Sequence, residues 1–220
     1  MNLLRTDKEV ALNDLLVASR ETVDHYQDAV EYLDDDHLTP VLRMIMRIYF
    51  PNRGTIRVLG EEAHGAAHDR IGYLPEERGL YKKLRVEEQL LYLAELKGLR
   101  PADAREKVRY WLDRFDARTW GQKKTEELSK GMQQKVQFIT TVVHDPELLV
   151  LDEPASGLDP VNQDVLRETI LDARRRGRTV LFSTHNMDQA EGLCEYVCII
   201  AGGRKVLDGA LADVRRAHRG

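Results

Sequence analysis

Asp152 and Glu153 are the residues with the clearest chemical potential in this chain. They follow an unbroken apolar run, Leu148 to Leu151, and precede Pro154. A short apolar run without alternation reads as a strand buried on both faces, as in a parallel sheet covered by helices. Carboxylates at the carboxyl end of such a strand lie where open α/β sheets gather ligands. One carboxylate there can hold Mg²⁺ and the next can polarise a water, which is the pair that metal-nucleotide hydrolysis needs. A second β run, 179–184, ends at His185, and a helix over 161–175 joins the two. Together they make a βαβ unit, for which a right-handed crossover is expected.

Two shorter patterns fit the same chemistry. Leu128-Ser129-Lys130-Gly131-Met132-Gln133-Gln134 opens a helix. A Ser and a Gly at a helix N-terminus leave free backbone N–H groups and a positive dipole end, suited to a phosphate. Ser156-Gly157-Leu158-Asp159 follows the carboxylate pair as a tight connection into the next helix. Taken singly, each of these is also an ordinary capped helix or turn; their joint order carries the information.

The elements that must position these residues alternate along the chain. Met44 to Phe50 reads as the end of a helix stopped by Pro51-Asn52-Arg53-Gly54, and 55–59 as a strand. Helices are expected over 86–97, 102–115 and 131–143, and Gly177 is expected to cap the 161–175 helix. The first 43 residues differ. They carry ten acids against four bases, whereas the rest carries 27 acids against 29 bases. From Lys8 to Leu33 the apolar residues Leu12, Leu16, Val23, Tyr26, Val30 and Leu33 form one stripe of a helix. Asp34-Asp35-Asp36 ends that helix, and Thr39-Pro40 restarts one.

Composition narrows the classes further. With 42% hydrophobic and 32% charged residues, the chain is globular. Its longest apolar stretches are about six residues, such as Tyr196 to Ala201, far short of the roughly 20 a bilayer span needs. No secretion signal is read at the N-terminus. Cys194 and Cys198 lack a C-x-x-C pattern and read as buried thiols. A net charge of −4 without a basic, aromatic-laced patch argues against nucleic acid as a partner.

The ordered runs LSKGMQQ, LLVLDEP, SGLD and STH resemble the ATP-binding cassette (ABC) ATPase family over about residues 44–217. The resemblance implies an α/β P-loop NTPase fold with a parallel sheet core and a helical subdomain. It also implies ATP and Mg²⁺ as cofactors, a second cassette as homo- or heterodimer partner, and a membrane permease subunit. Location would be cytoplasmic, peripheral at the inner face of the membrane. By this resemblance, Asp152 is the Mg²⁺ ligand, and Glu153 and His185 are catalytic. Ser129, Lys130, Gly131 and Met132 form the signature motif, and Asp159 closes the D-loop. Glu76, in Ile71 to Tyr81, takes the place of the usual Gln of the Q-loop. That variant resembles a two-component exporter branch handling sodium or drugs.

One motif is missing from the 220 residues. The P-loop pattern G-x-x-x-x-G-K-[ST] cradles phosphates with backbone amides and its Lys. None of the ten lysines here follows a Gly. Asp7 to Arg43 instead resembles the opening helix of small ferritin-like four-helix-bundle proteins, whose di-iron sites use Glu and Glu-x-x-His. Here Glu21 and His25 are four apart, which favours a solvated acidic face over a metal site. The expected organisation is therefore a ferritin-like helical fragment, 1–43, fused to an incomplete ABC domain, 44–220. Lacking its P-loop strand, the sheet is expected to cost strands 148–151 and 179–184 a neighbour and leave unpaired backbone groups.

Overall fold

The computed structural model describes residues 14–17, 39–48, 50, 57–59, 61–62, 65–76, 79–201 and 204–217. Among them, strands are β1 (Asp14–Val17), β2 (Arg57–Val58), β3 (Glu61–Glu62), β4 (Ile71–Leu74), β5 (Leu148–Asp152), β6 (Thr179–Thr184), β7 (Tyr196–Ala201) and β8 (Arg204–Ala210). Helices are α1 (Thr39–Ile45), α2 (Val86–Leu96), α3 (Pro101–Arg114), α4 (Lys130–Val142), α5 (Pro160–Arg175), α6 (Met187–Leu193) and α7 (Leu211–Ala217). They fall into two compact units. One runs from Ala66 to Thr179; the other joins Met1–Gly65 to Val180–Gly220.

In the unit Ala66–Thr179, β4 and β5 pair in parallel with Ile71 opposite Leu148 and Leu74 opposite Leu151. All five residues of β5 are buried, as its unbroken apolar run requires. Helix boundaries follow local chemistry. Pro101 starts α3 at the first helical position, where its missing N–H costs nothing. Asp159 caps α5 and Pro160 opens it. Gly98 and Gly177, at φ +87° and +75°, provide the left-handed residue that lets the chain leave α2 and α5. Behind α5, Arg178 donates to the Ala173 carbonyl and Thr179 to Glu147, returning the chain to the start of β5.

α2 and α3 pack with α4 over an aromatic cluster. Phe115 and Phe138 are 1% exposed and meet edge to face at 5.6 Å, with Trp111 stacked obliquely on Phe115 at 6.3 Å. Gln89, also fully buried, accepts from the Tyr81 N–H at 2.5 Å and donates to the Thr125 hydroxyl at 3.5 Å, anchoring two loops to α2.

α4 lies directly on β4. A Cβ on Gly72 would stand 2.3 Å from the Thr141 carbonyl oxygen, so only glycine permits this approach. Along the same contact, Gln137 Nε2 donates to the Pro75 carbonyl at 3.2 Å and Thr141 Oγ1 to Tyr73 at 3.2 Å. His144 Nε2 lies 3.3 Å from the Ile71 carbonyl. Three alternate carbonyls of one strand edge are thus satisfied by a polar stripe on a helix, in place of another strand.

The other unit holds β6, β1, β7 and β8. β1 pairs antiparallel with β6 (Leu16 opposite Ser183) and with β7 (Leu16 opposite Cys198), and β7 with β8. β6 and β7 therefore run in the same direction, joined by α6, with β1 between them. This corrects two expectations. Residues 14–17 form a strand where periodicity predicts a helix, and β6 does not lose its neighbour. Leu15-Leu16-Val17 suits a buried strand as well as a helical stripe. Two open ladders offer hydrogen bonds that cost on the order of 1–3 kcal/mol each if unmade in the interior, against tenths of a kcal/mol per residue of helix propensity. The rest of the expected helix, with Glu21 and His25, lies outside the described residues. α1 ends at Ile45, short of the stretch to Phe50 expected from sequence. Arg47, at φ +55°, turns the chain, and Ile48 donates back to the Arg43 carbonyl at 2.8 Å.

Two predictions follow from the α4–β4 contact. Gly72→Ala forces a Cβ into backbone, so unfolding by urea should show a loss of at least about 1–3 kcal/mol. Burial, and then the charge of Lys97, push the His144 imidazole down to about 4. The unfolded chain, with an ordinary histidine near ~6.5, takes up the proton first, so this stabilisation is full above ~6.5 and fades as pH falls toward 4. Up to about 3 kcal/mol is at stake, and His144→Gln should flatten stability across that window.

Candidate functional site

Within the unit Ala66–Thr179, the residues singled out from sequence sit at strand ends and helix starts. Asp152 is the last residue of β5 and is 3% exposed. Glu153 follows in the left-handed region at φ +45°, a conformation that costs a non-glycine residue on the order of 1 kcal/mol and redirects the chain sharply after the strand. Ser156 donates to the Glu153 carbonyl at 3.0 Å and Leu158 to Ala155 at 3.2 Å, closing the turn. Buried Leu158 pins it to the core.

Ser129 caps α4. Its hydroxyl accepts from the Met132 N–H at 3.3 Å, while its own residue is exposed. Behind it, Gln133 Nε2 donates to the carbonyls of Thr125 and Leu128 at 3.1 and 3.0 Å and fixes the approach to the helix. The thirteen residues of α4 present an unencumbered N-terminal turn in which Lys130 is exposed and Gly131 and Met132 half-buried. Gly131 backs onto the turn after β5: a Cβ there would lie 3.2 Å from the Gly157 carbonyl. Asp159, two residues beyond Gly157, is exposed and caps α5 by accepting from the Asn162 N–H at 3.1 Å. Hydrogen bonds from the Asn162 side chain and backbone hold its carboxyl below the usual aspartate range.

Ser129, Gly131, Gly157 and Asp159 therefore form one continuous, accessible surface made from two helix N-termini, each a region of positive potential. Glu76 is exposed on the bend after β4, directly behind Pro75, whose carbonyl Gln137 holds. His185 belongs to the other unit. It is exposed just past β6, beside Asn186, which donates its N–H to the Thr184 hydroxyl at 3.1 Å and caps α6.

Sequence reasoning missed the polar stripe of α4. Gln134, Gln137, Thr141 and His144 are all buried, at spacings of three, four and three. Apolar Val136, Phe138, Ile139, Val142 and Val143 lie among them, so this stretch faces the core and its polar groups must find partners inside. Cys194 and Cys198, read from sequence as buried thiols, are free and half-buried, and desolvation pushes them up to about 12 and about 11. No helix among the described residues is long and apolar enough to cross a membrane.

Comparison with known proteins identifies the family. A family profile described as ABC transporter matches residues 39–156. An uncharacterized ABC transporter ATP-binding protein of Alkalihalophilus pseudofirmus is 47% identical over 181 residues, 82% of this chain and 68% of the relative. The Nod factor export ATP-binding protein I of Paraburkholderia xenovorans is 35% identical over 175 residues, covering 78% of this chain and 58% of the relative. A solved structure of an ATP binding subunit of an ABC transporter superposes with a TM-score of 0.77 at 31% identity, over 82% of this chain and 76% of that one. The chain belongs to the ABC transporter family, and its α/β fold is that of the ABC ATPase cassette. It spans between about three fifths and two thirds of the length of the two relatives.

The cap of α4 gives a direct test of this local structure. Ser129→Ala should lower stability by about 1 kcal/mol, whereas Ser129→Asp, which retains a capping oxygen, should not. Chemical denaturation of the two variants checks both.

Proposed function

We propose that this chain is the ATP-binding subunit of an ABC exporter and that its working surface is the one it offers to a second cassette. In this reading, the N-terminal turn of α4 meets the γ-phosphate of an ATP held by an intact partner cassette. Ser129 and Gly131 provide the contact, and Lys130 and Met132 flank it. Asp159 bridges the two subunits. Glu76, on its exposed bend, faces a membrane permease from the cytoplasmic side, where Tyr81 and Leu84 add exposed apolar surface nearby in sequence. MgATP supplies the hydrolysable γ-phosphate bond that drives such a transporter.

The observation that carries the reading is the joint surface of Ser129, Gly131 and Asp159. Gly131 lies against the turn that leads to Asp159, since a Cβ on it would stand 3.2 Å from the Gly157 carbonyl, and this close approach keeps the two helix N-termini side by side. The other half of a nucleotide site has no such support. No G-x-x-x-x-G-K-[ST] occurs in the 220 residues, so nothing identified here cradles the β- and γ-phosphates for Asp152, Glu153 and His185 to act on. Given a cradle, Asp152 suits a hard cation such as Mg²⁺, Glu153 a water to be oriented, and His185 the γ-phosphate. Without one, the chain binds no ATP alone and contributes by completing the site of its partner.

Equilibrium dialysis against labelled ATP with Mg²⁺ tests the first part: no binding by the isolated chain at millimolar nucleotide is expected. Micromolar binding that weakens in Asp152→Asn would overturn it and assign a cradle to another segment. Size-exclusion chromatography with an intact ABC cassette tests the second. An ATP-dependent complex is expected with the wild-type chain, and its loss with Ser129→Asp, which keeps the helix cap but sets a negative charge against the phosphate.

A further inference from the structure

Gln137 links two parts of the surface described above. Its side chain is 3% exposed, and its Nε2 donates to the carbonyl of Pro75, the residue immediately before Glu76. Pro75 has no N–H, so the carbonyl is the only backbone group by which it can be held. Thr141 and His144 hold Tyr73 and Ile71 by the same edge, but those residues lie inside β4, which is also laddered to β5. The ladder ends at Leu74. Gln137 therefore acts at the first residue beyond it, where the strand gives way to the exposed bend of Glu76. From the Ser129 cap to Gln137 the chain runs eight residues along one helix, a rigid span of about 12 Å.

We infer that Gln137 is a positioning residue that fixes the Glu76 bend to the helix whose N-terminal turn carries Ser129 and Gly131. A shift of α4 then carries the bend with it. The consequence for transport rests on the functional reading above, in which the two ends face a permease and a nucleotide. The positioning itself does not.

Hydrogen exchange of the full chain, read by mass spectrometry, tests this directly. Gln137→Met removes the donor and keeps the length and apolar body of the side chain; Thr141→Val removes the neighbouring donor inside the strand. Gln137→Met should speed exchange in the segment 76–81, beyond the strand, on the order of tenfold, the effect of one lost hydrogen bond to a half-buried acceptor. Thr141→Val should leave that segment unchanged, and both should leave α2 and α3 unchanged. No change in Gln137→Met, or equal loosening by the two variants, overturns the inference. Repeating the comparison with an intact cassette and MgATP separates the two readings. If no complex forms, the functional reading fails, and exchange in the free chain still decides the role of Gln137.

Discussion

The contact between α4 and β4 at Gly72 constrains everything around it. With the Thr141 carbonyl 2.3 Å from where a Cβ would stand, helix and strand backbones meet with no side chain between them. Gln137 and Thr141 on the helix, with His144 in the turn just after it, sit at the carbonyls of Pro75, Tyr73 and Ile71. Lys97 adds to the same end, donating to the His68 carbonyl at 2.6 Å and to Ile71 at 3.4 Å. Because a buried unpaired carbonyl costs on the order of 1–3 kcal/mol, these polar residues are as much part of the core as the phenylalanines beside them.

This constraint sets the direction of α4, and with it the placement of the accessible surface. The N-terminal turn of α4 is aimed by the same residues that hold its body to β4, while Gly131 is shaped by the turn after β5. That turn is closed by Glu153 in a left-handed conformation and by short backbone hydrogen bonds around Ser156 and Leu158. Two helix starts, one capped by Ser129 and one by Asp159, thus share one surface, and both point positive helix ends outward. A phosphate is the ligand proposed for this surface.

Much of this architecture was legible beforehand because it depends on local rules. The helices over 86–97, 102–115, 131–143 and 161–175 agree with the structure to within about a residue at each end, since Pro101, Ser129, Asp159 and Gly177 fix boundaries through capping and φ preference. The unbroken run 148–151 announced a doubly covered strand. The segment 14–17 was misread, because an apolar triplet is compatible with either period and two open ladders settled the choice. The polar stripe of α4 went unrecognised for a related reason: glutamine, threonine and histidine on a helix ordinarily face solvent, and only packing against the core makes them internal donors.

By itself, then, the sequence determined element types, their caps, the buried strand ending in Asp152 and Glu153, and the motif order that marks the family, because each of these follows from backbone preferences or from chemistry within a few residues. Tertiary structure alone decided that Gly72 admits a helix backbone, that Gln137 anchors the residue before Glu76, that Gly131 leans on Gly157, and that Leu15 to Val17 forms a strand. Those are contacts between residues far apart in the chain. Their energies come from desolvation and hydrogen bonding that exist only once both partners are brought together, so no local pattern can encode them.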